Sequence, residues 1–164
     1  MRKLITTSLA ALAAVITLIG FVFVTGLRAK SPRIRGAVRK VARATQRFTI
    51  KSAGLPGAYA SIVRHTGRAS GRSYETPVRA ARTDDGLVIT LPYGANTDWL
   101  KNILKRGSAT IVDEGEEIEV ERPEVVGAAD ARKFFLPKDQ RTQRLFGVDE
   151  YLRVHRSQES RLAS

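Results

Sequence analysis

Apolar and polar positions change rhythm several times along the chain. From Leu4 to Leu27 (LITTSLAALAAVITLIGFVFVTGL) there is no rhythm at all, only 24 residues without a charge. At ~1.5 Å per residue such a helix reaches roughly 36 Å, enough for a hydrocarbon core of ~30 Å. A cleaved signal peptide would carry an apolar run of only ~7–15 residues and an A-x-A-like site. Gly26-Leu27-Arg28-Ala29-Lys30 is no such site, so residues 4–27 read as a retained transmembrane helix. From Pro32 the period turns helical. Ile34, Val38, Val41, Thr45 and Phe48 share one side, and Arg35, Arg39, Arg43 and Arg47 form a separate row four residues apart. Ser31 is a suitable N-cap, and proline is tolerated in a first turn. Residues 28–51 are thus expected to form a basic amphipathic helix beside the span, resting on lipid headgroups.

The Gly and Pro of Lys51-Ser52-Ala53-Gly54-Leu55-Pro56-Gly57 end that helix, and residues 52–157 read as one domain, with 158–164 as a tail. Tyr59 to His65 predicts a strand, and residues 65–72 (HTGRASGR) a turn or loop. Tyr74 to Arg82 predicts a second strand, placed at an edge or bulge by Pro77. Thr83-Asp84-Asp85-Gly86 is a tight-turn signal, and Leu87 to Leu91 the returning, central strand. Asn96 or Thr97 caps a helix closed by Lys105-Arg106-Gly107, burying Trp99, Ile103 and Leu100. Ala109–Val112 and the alternating Glu117–Glu121 flank a turn at Asp113-Glu114-Gly115-Glu116. Beyond Ala128 the pattern reads as helical through ADARKFF and again near VDEYLRVHR, with breaks at Pro137 and Gly147. Five or six antiparallel strands with short helices predict an α+β fold, a small β-barrel behind an N-terminal transmembrane helix.

Charge changes the picture through its placement. The chain carries 28 Lys+Arg and 16 Asp+Glu, a net +12. Residues 1–74 hold 14 of the bases and no acid, and the remainder is slightly acidic. An even excess would point to nucleic acid. Here the excess hugs the apolar span, which argues for a membrane and against a nucleic-acid partner. Arg2, Lys3 and the amino terminus precede the span. Arg28, Lys30, Arg33, Arg35, Arg39 and Lys40 follow it closely, so the C-terminal domain is expected on the cytoplasmic side of the cell membrane.

Chemistry carried by side chains alone is poorly supplied. There is no Cys, hence no thiolate, and neither His65 nor His155 sits in a zinc-ligand spacing. No metal site is expected, and a lone histidine at a strand end reads as structural. No Gly-x-Ser-x-Gly elbow is present, and the carboxylates of DEGEEIEVE read as a solvated hairpin. The loop His65–Val78 (HTGRASGRSYETPV) says more. Gly67 and Gly71 allow close backbone approach, and Ser70 and the amides offer donors. Arg68 and Arg72 offer bidentate positive charge, a composition suited to phosphate. The plain alternative is a Gly-rich hairpin loop whose arginines meet membrane or water.

TGRASGRSYETPV followed by DDGLVITLPYGANTDWLKNI resembles the deazaflavin-dependent nitroreductase family, also described as quinone reductases of the split β-barrel flavin-reductase type. The similarity covers residues 58–125. It implies a split barrel that binds the deazaflavin coenzyme F-420, with FMN or haem a less favoured occupant, and passes hydride to an acceptor. Arg68 would be the phosphate-contacting arginine, with Arg72 adding charge, and Ser70 and Gly71 the hydroxyl–glycine pair. Gly94, with Pro92 and Tyr93, would form the turn against the deazaflavin, and Trp99 and Asn102 the helix positions near it. The family's lysine after the arginine is Ala69 here, and a basic residue common three positions past the loop glycine is Tyr74. The implied function is a membrane-anchored oxidoreductase with a lipophilic, quinone-like acceptor, and a homodimer is the common assembly of such barrels. The rival is a non-catalytic barrel holding a lipid or fatty acyl chain.

Overall fold

The computed structural model describes residues 50–157 and, ahead of them, Thr25. Nearly all of the expected 4–27 span and of the 28–51 helix, and the whole 158–164 tail, lie outside the described residues. Among the described residues no helix is long and apolar enough to cross a membrane.

Seven strands form one sheet: β1 (Ser61–Thr66), β2 (Ser73–Val78), β3 (Ala80–Arg82), β4 (Gly86–Thr90), β5 (Ser108–Asp113), β6 (Glu116–Gly127) and β7 (Glu150–Arg156). Their order is β2-β1-β5-β6-β7-β4-β3, and every neighbouring pair is antiparallel. β2 and β3 lie at opposite ends of that order, yet only Arg79 separates them in sequence. The sheet must therefore curl until its two edges meet at that residue, giving a half-barrel with a seam, as in a split barrel. The backbone carbonyl of Arg79 bridges the corner, accepting the Thr90 N–H at 3.0 Å. The single strand expected over Tyr74–Arg82 is thus two strands at opposite edges, and Pro77, with no N–H to give, does sit on an edge strand.

Three short helices complete the domain: α1 (Asp98–Arg106), α2 (Ala128–Ala131), continued as a 3-10 turn over Arg132–Phe134, and α3 (Pro137–Leu145). α1 forms where the sequence predicts it. Gly107 ends it at φ 80°, and Leu100 and Ile103 are fully buried. They pack on Val63, Leu87, Ile89, Ile111, Ile118, Val120, Leu152 and Val154, the main core inside the curl. A smaller cluster of Val88, Ala131, Phe135, Val148 and Tyr151 lies on the other face, under α2 and the 3-10 turn.

That second cluster explains the main departures from the sequence pattern. VDEYLRVHR is a strand, not a helix: β7 pairs with β4 and β6, with Leu152 and Val154 facing the main core and Tyr151 the smaller one. A strand covered on both faces loses the polar alternation that marks a half-buried one. Pro137 starts α3 rather than breaking a helix, because the first helical position needs no N–H. β6 runs on past Glu121 to Gly127 through a bulge between Glu121 and Glu124, where Arg122 takes φ 52°. Glu116–Glu121 pair β5, and from Val120 onward the strand also pairs β7. Gly86 is required at the β4–β7 crossing, where a Cβ would lie 2.1 Å from the Val154 carbonyl oxygen.

Candidate functional site

A cavity of about 800 Å³ opens along the seam. One side is β2, from Tyr74 to Val78, and the corner Arg79. The other is the end of β4 and the turn after it, with Thr90, Pro92 and Tyr93. The 67–70 loop and the first turn of α1, from Thr97 to Asn102, close one end. Its volume falls in the usual range for small-molecule sites. Pro77, Val78, Pro92 and Trp99 supply apolar or aromatic wall, and burial pushes the Tyr93 hydroxyl to a higher pKa.

The loop is built by its own hydrogen bonds. Gly67 N–H donates to the Arg72 carbonyl at 2.8 Å and Gly71 N–H to that of Gly67 at 2.9 Å. Ser70 Oγ lies 3.0 Å from the Tyr74 hydroxyl, and both crowd Gly67: a Cβ there would sit 2.4 Å from Ser70 Oγ and 2.7 Å from Tyr74 Cε2. A side chain at Gly67 would have to displace the Ser70 hydroxyl and the Tyr74 ring.

Arg68 ties this loop to α1. Nη1 donates to Asn102 Oδ1 at 2.9 Å and to the Asp98 carbonyl at 3.2 Å, and Nη2 to Asp98 Oδ1 at 3.0 Å. The Arg68 backbone N–H adds a bond to Asn102 Oδ1 at 3.1 Å. Of the guanidinium's five N–H groups, Nε–H and one on Nη2 have no partner among the described residues and are available to a ligand. Asn102 is buried and also faces His65, with Nδ2 3.1 Å from Nδ1. His65 Nε2 lies 3.1 Å from Thr76 Oγ1, and Tyr74 stacks on the imidazole at 5.8 Å. Burial holds the His65 pKa below its ordinary value.

Of the residues expected from sequence, Arg68, Ser70, Tyr93, Trp99 and Asn102 line the cavity together. Gly71, Arg72 and Gly94 do not line it. Gly71 and Gly94, at φ 66° and 75°, shape the turns beside it. Arg72 is exposed and, among the described residues, forms no ion pair. His65, Thr76 and Arg79 also line the cavity, and sequence reasoning did not single them out for function. Arg79 donates to Asp139 Oδ2 at 2.7 Å and to the Tyr59 carbonyl at 2.8 Å, while its buried Nε has no partner among the described residues. Among the described residues no cluster of His, Asp and Glu could hold a metal ion.

A curled antiparallel sheet with an apolar seam cavity, closed at one end by a glycine loop rich in donors, suits a ligand with a flat ring and an anionic tail. Residues 37–154 match the family described as F420H(2)-dependent quinone reductase, and the chain belongs to that family. It is therefore an oxidoreductase of the type that works with reduced coenzyme F-420. No curated protein matches the chain. Among solved structures, one titled as a domain-swapped dimer is 12% identical, covering 73% of this chain and 99% of its own at a TM-score of 0.46. The protein Atu2129 of Agrobacterium tumefaciens is 15% identical, covering 70% of this chain and 54% of its own at 0.45. A Clostridium acetobutylicum protein related to general stress protein 26 (pyridoxinephosphate oxidase family) is 10% identical, covering 70% and 83% at 0.44. The family assignment rests on the sequence match, not on these structures.

Proposed function

We propose that the seam cavity holds coenzyme F-420 and that the protein passes its hydride to a quinone-like, lipophilic acceptor at the cytoplasmic face of the cell membrane. The observation that carries the reading is the meeting, in one cavity, of the 67–70 loop, the Pro92–Tyr93 turn and the first turn of α1. The residues fit such a coenzyme. Trp99, Pro92 and Val78 offer surface to a flat ring, with Tyr93 beside them. Ser70, the loop amides and the uncommitted N–H groups of Arg68 offer donors to a phosphate and carboxylate tail, with Arg72 nearby as an exposed cation.

The bound coenzyme supplies the hydride, so the protein needs no nucleophile of its own. What the chain does is bind, orient and exclude water. The apolar wall keeps the reacting ring out of bulk solvent, and the loop fixes the tail so that the ring stands in one register. Residues 4–27 and the basic stretch after them would hold the domain beside the bilayer, where a lipid-dissolved acceptor has short access. The reading includes a homodimer, the assembly that the resemblance implies.

Titrating the detergent-purified full chain with oxidised F-420, FMN and a fatty acid, followed by absorbance and fluorescence, tests the reading. Saturable binding of F-420 in preference to the others is expected. Preferential binding of the fatty acid would replace the reading with a lipid-binding barrel.

A further inference from the structure

Along the cavity wall, the side chains of Arg68, Asn102 and His65 each fix the polarity of the next. Asn102 Oδ1 accepts two N–H groups of Arg68, at 3.1 and 2.9 Å, so the amide nitrogen must be the atom facing His65. That nitrogen carries only donors, so Nδ1 of His65, 3.1 Å away, must accept. The imidazole proton then sits on Nε2, and Thr76 Oγ1, 3.1 Å from it, receives the bond. The hydroxyl hydrogen of Thr76 is left without a protein acceptor among the described residues, on a side chain that lines the cavity.

We propose that Thr76 is a directed hydrogen-bond donor to a carbonyl oxygen of the ring system bound in the seam, and that His65, Asn102 and Arg68 are positioning residues that hold it in that sense. The ligand chemistry is a ring carbonyl, which both the pyrimidinedione edge of a deazaflavin and a quinone possess. The proposal rests on the reading of the cavity as the coenzyme site. Without the relay a threonine hydroxyl could turn to accept, and would then repel a carbonyl. With it, reversing the hydroxyl would also require reversing His65 and Asn102 and would cost both Arg68 bonds.

Asn102→Asp reverses the relay while keeping size and both Arg68 donors. The new carboxylate attracts a proton to Nδ1, so a neutral imidazole presents a bare Nε2 and takes the Thr76 hydrogen. Only a doubly protonated imidazole restores the original sense. The groups that bear on this titration are Tyr74 and Thr76 from β2, Asn102 and Asp98 from α1, and Arg68 from the loop.

The test uses the full chain labelled with 15N-histidine. Without ligand, the wild-type His65 spectrum is expected to show Nε2 protonated and Nδ1 bare. Thr76→Val is expected to weaken oxidised F-420 about fivefold, as loss of one neutral hydrogen bond would, and Thr76→Ser to restore it. In Asn102→Asp the affinity relative to wild type should fall as pH rises through the His65 titration. Adding Thr76→Val should remove that pH step, which a merely structural role would not do. If F-420 affinity holds but KM for 2-methyl-1,4-naphthoquinone rises in Thr76→Val, the carbonyl is the quinone's and the proposal stands. A proton on Nδ1 in the wild type, or unchanged F-420 and quinone constants in Thr76→Val, would overturn it. A wild-type chain that binds no F-420 overturns instead the reading on which it rests.

Discussion

Arg68→Ala separates two roles that the structure places on one side chain. As a fastener, Arg68 joins the loop to α1 through Asn102 and Asp98. The ion pair with Asp98 is exposed, at 66% for the Asp98 side chain, so it contributes at most about 1 kcal/mol. The bond to buried Asn102 is worth about 1 kcal/mol, and Asn102 Oδ1 keeps the Arg68 backbone N–H after truncation. The expected loss of stability is therefore about 1–2 kcal/mol, and each kcal/mol lowers Tm by about 4–8 °C in a domain of this size. As a ligand contact, loss of a charge-assisted bond to the coenzyme tail adds about 1.5–3 kcal/mol, a weakening of F-420 by at least tenfold. Calorimetry gives the first quantity and fluorescence titration at two salt concentrations the second. Asp98→Asn should act in the opposite sense on binding, tightening F-420 at low salt by removing a negative charge beside the guanidinium. Unchanged affinity in Arg68→Ala, with the expected fall in Tm, would show that Arg68 only fastens the loop and that the tail is held elsewhere.

Other consequences follow from the same geometry. Tyr151→Phe removes a buried hydroxyl that accepts from Arg132 Nε at 3.1 Å and donates to Gln143 Oε1 at 2.9 Å; Gln143 Nε2 already lacks a partner among the described residues, so urea unfolding should show a loss of about 1–3 kcal/mol. The carboxyl of Asp85, bonded by Thr83 and then Arg153, and that of Glu116, bonded by Arg82 and Arg156, both titrate below their ordinary values of 3.8 and 4.5. Their contribution is present above those values and lost as pH falls through the lower folded ones, so Tm should drop in that acid window and drop less in Asp85→Asn or Glu116→Gln. Deleting residues 1–30 should leave the F-420 dissociation constant unchanged and slow turnover of a long-chain quinone in proteoliposomes, but not of a short soluble one; equal loss for both, or for neither, would reject membrane delivery of the acceptor.

How far the fold could be read from the sequence depended on whether each element was covered on one face or two. The Asp84-Asp85-Gly86 turn, the Glu117–Glu121 alternation and the helix from Asp98 to Arg106 were legible, because each keeps a wet side or carries local turn chemistry. β7 was not: Tyr151, Leu152 and Val154 are all buried against two different clusters, and Tyr151 with Val154 mimics a helical spacing. Nothing local announced the corner at Arg79 either, since the strand break there follows from closing the curl. In the site, glycines and arginines marked the loop, but the Arg68–Asn102–His65–Thr76 chain joins residues far apart in sequence. A lone histidine shows its role only when its partners are in place.

On the proposed reading this protein oxidises reduced F-420 with a quinone. Anaerobic stopped-flow mixing of reduced F-420 with the full chain and 2-methyl-1,4-naphthoquinone tests it most directly. The absorbance of oxidised F-420 should return at a rate that rises with protein concentration and needs the quinone. A rate no greater with the protein than without it, under conditions where the chain is saturated with coenzyme, would contradict the account.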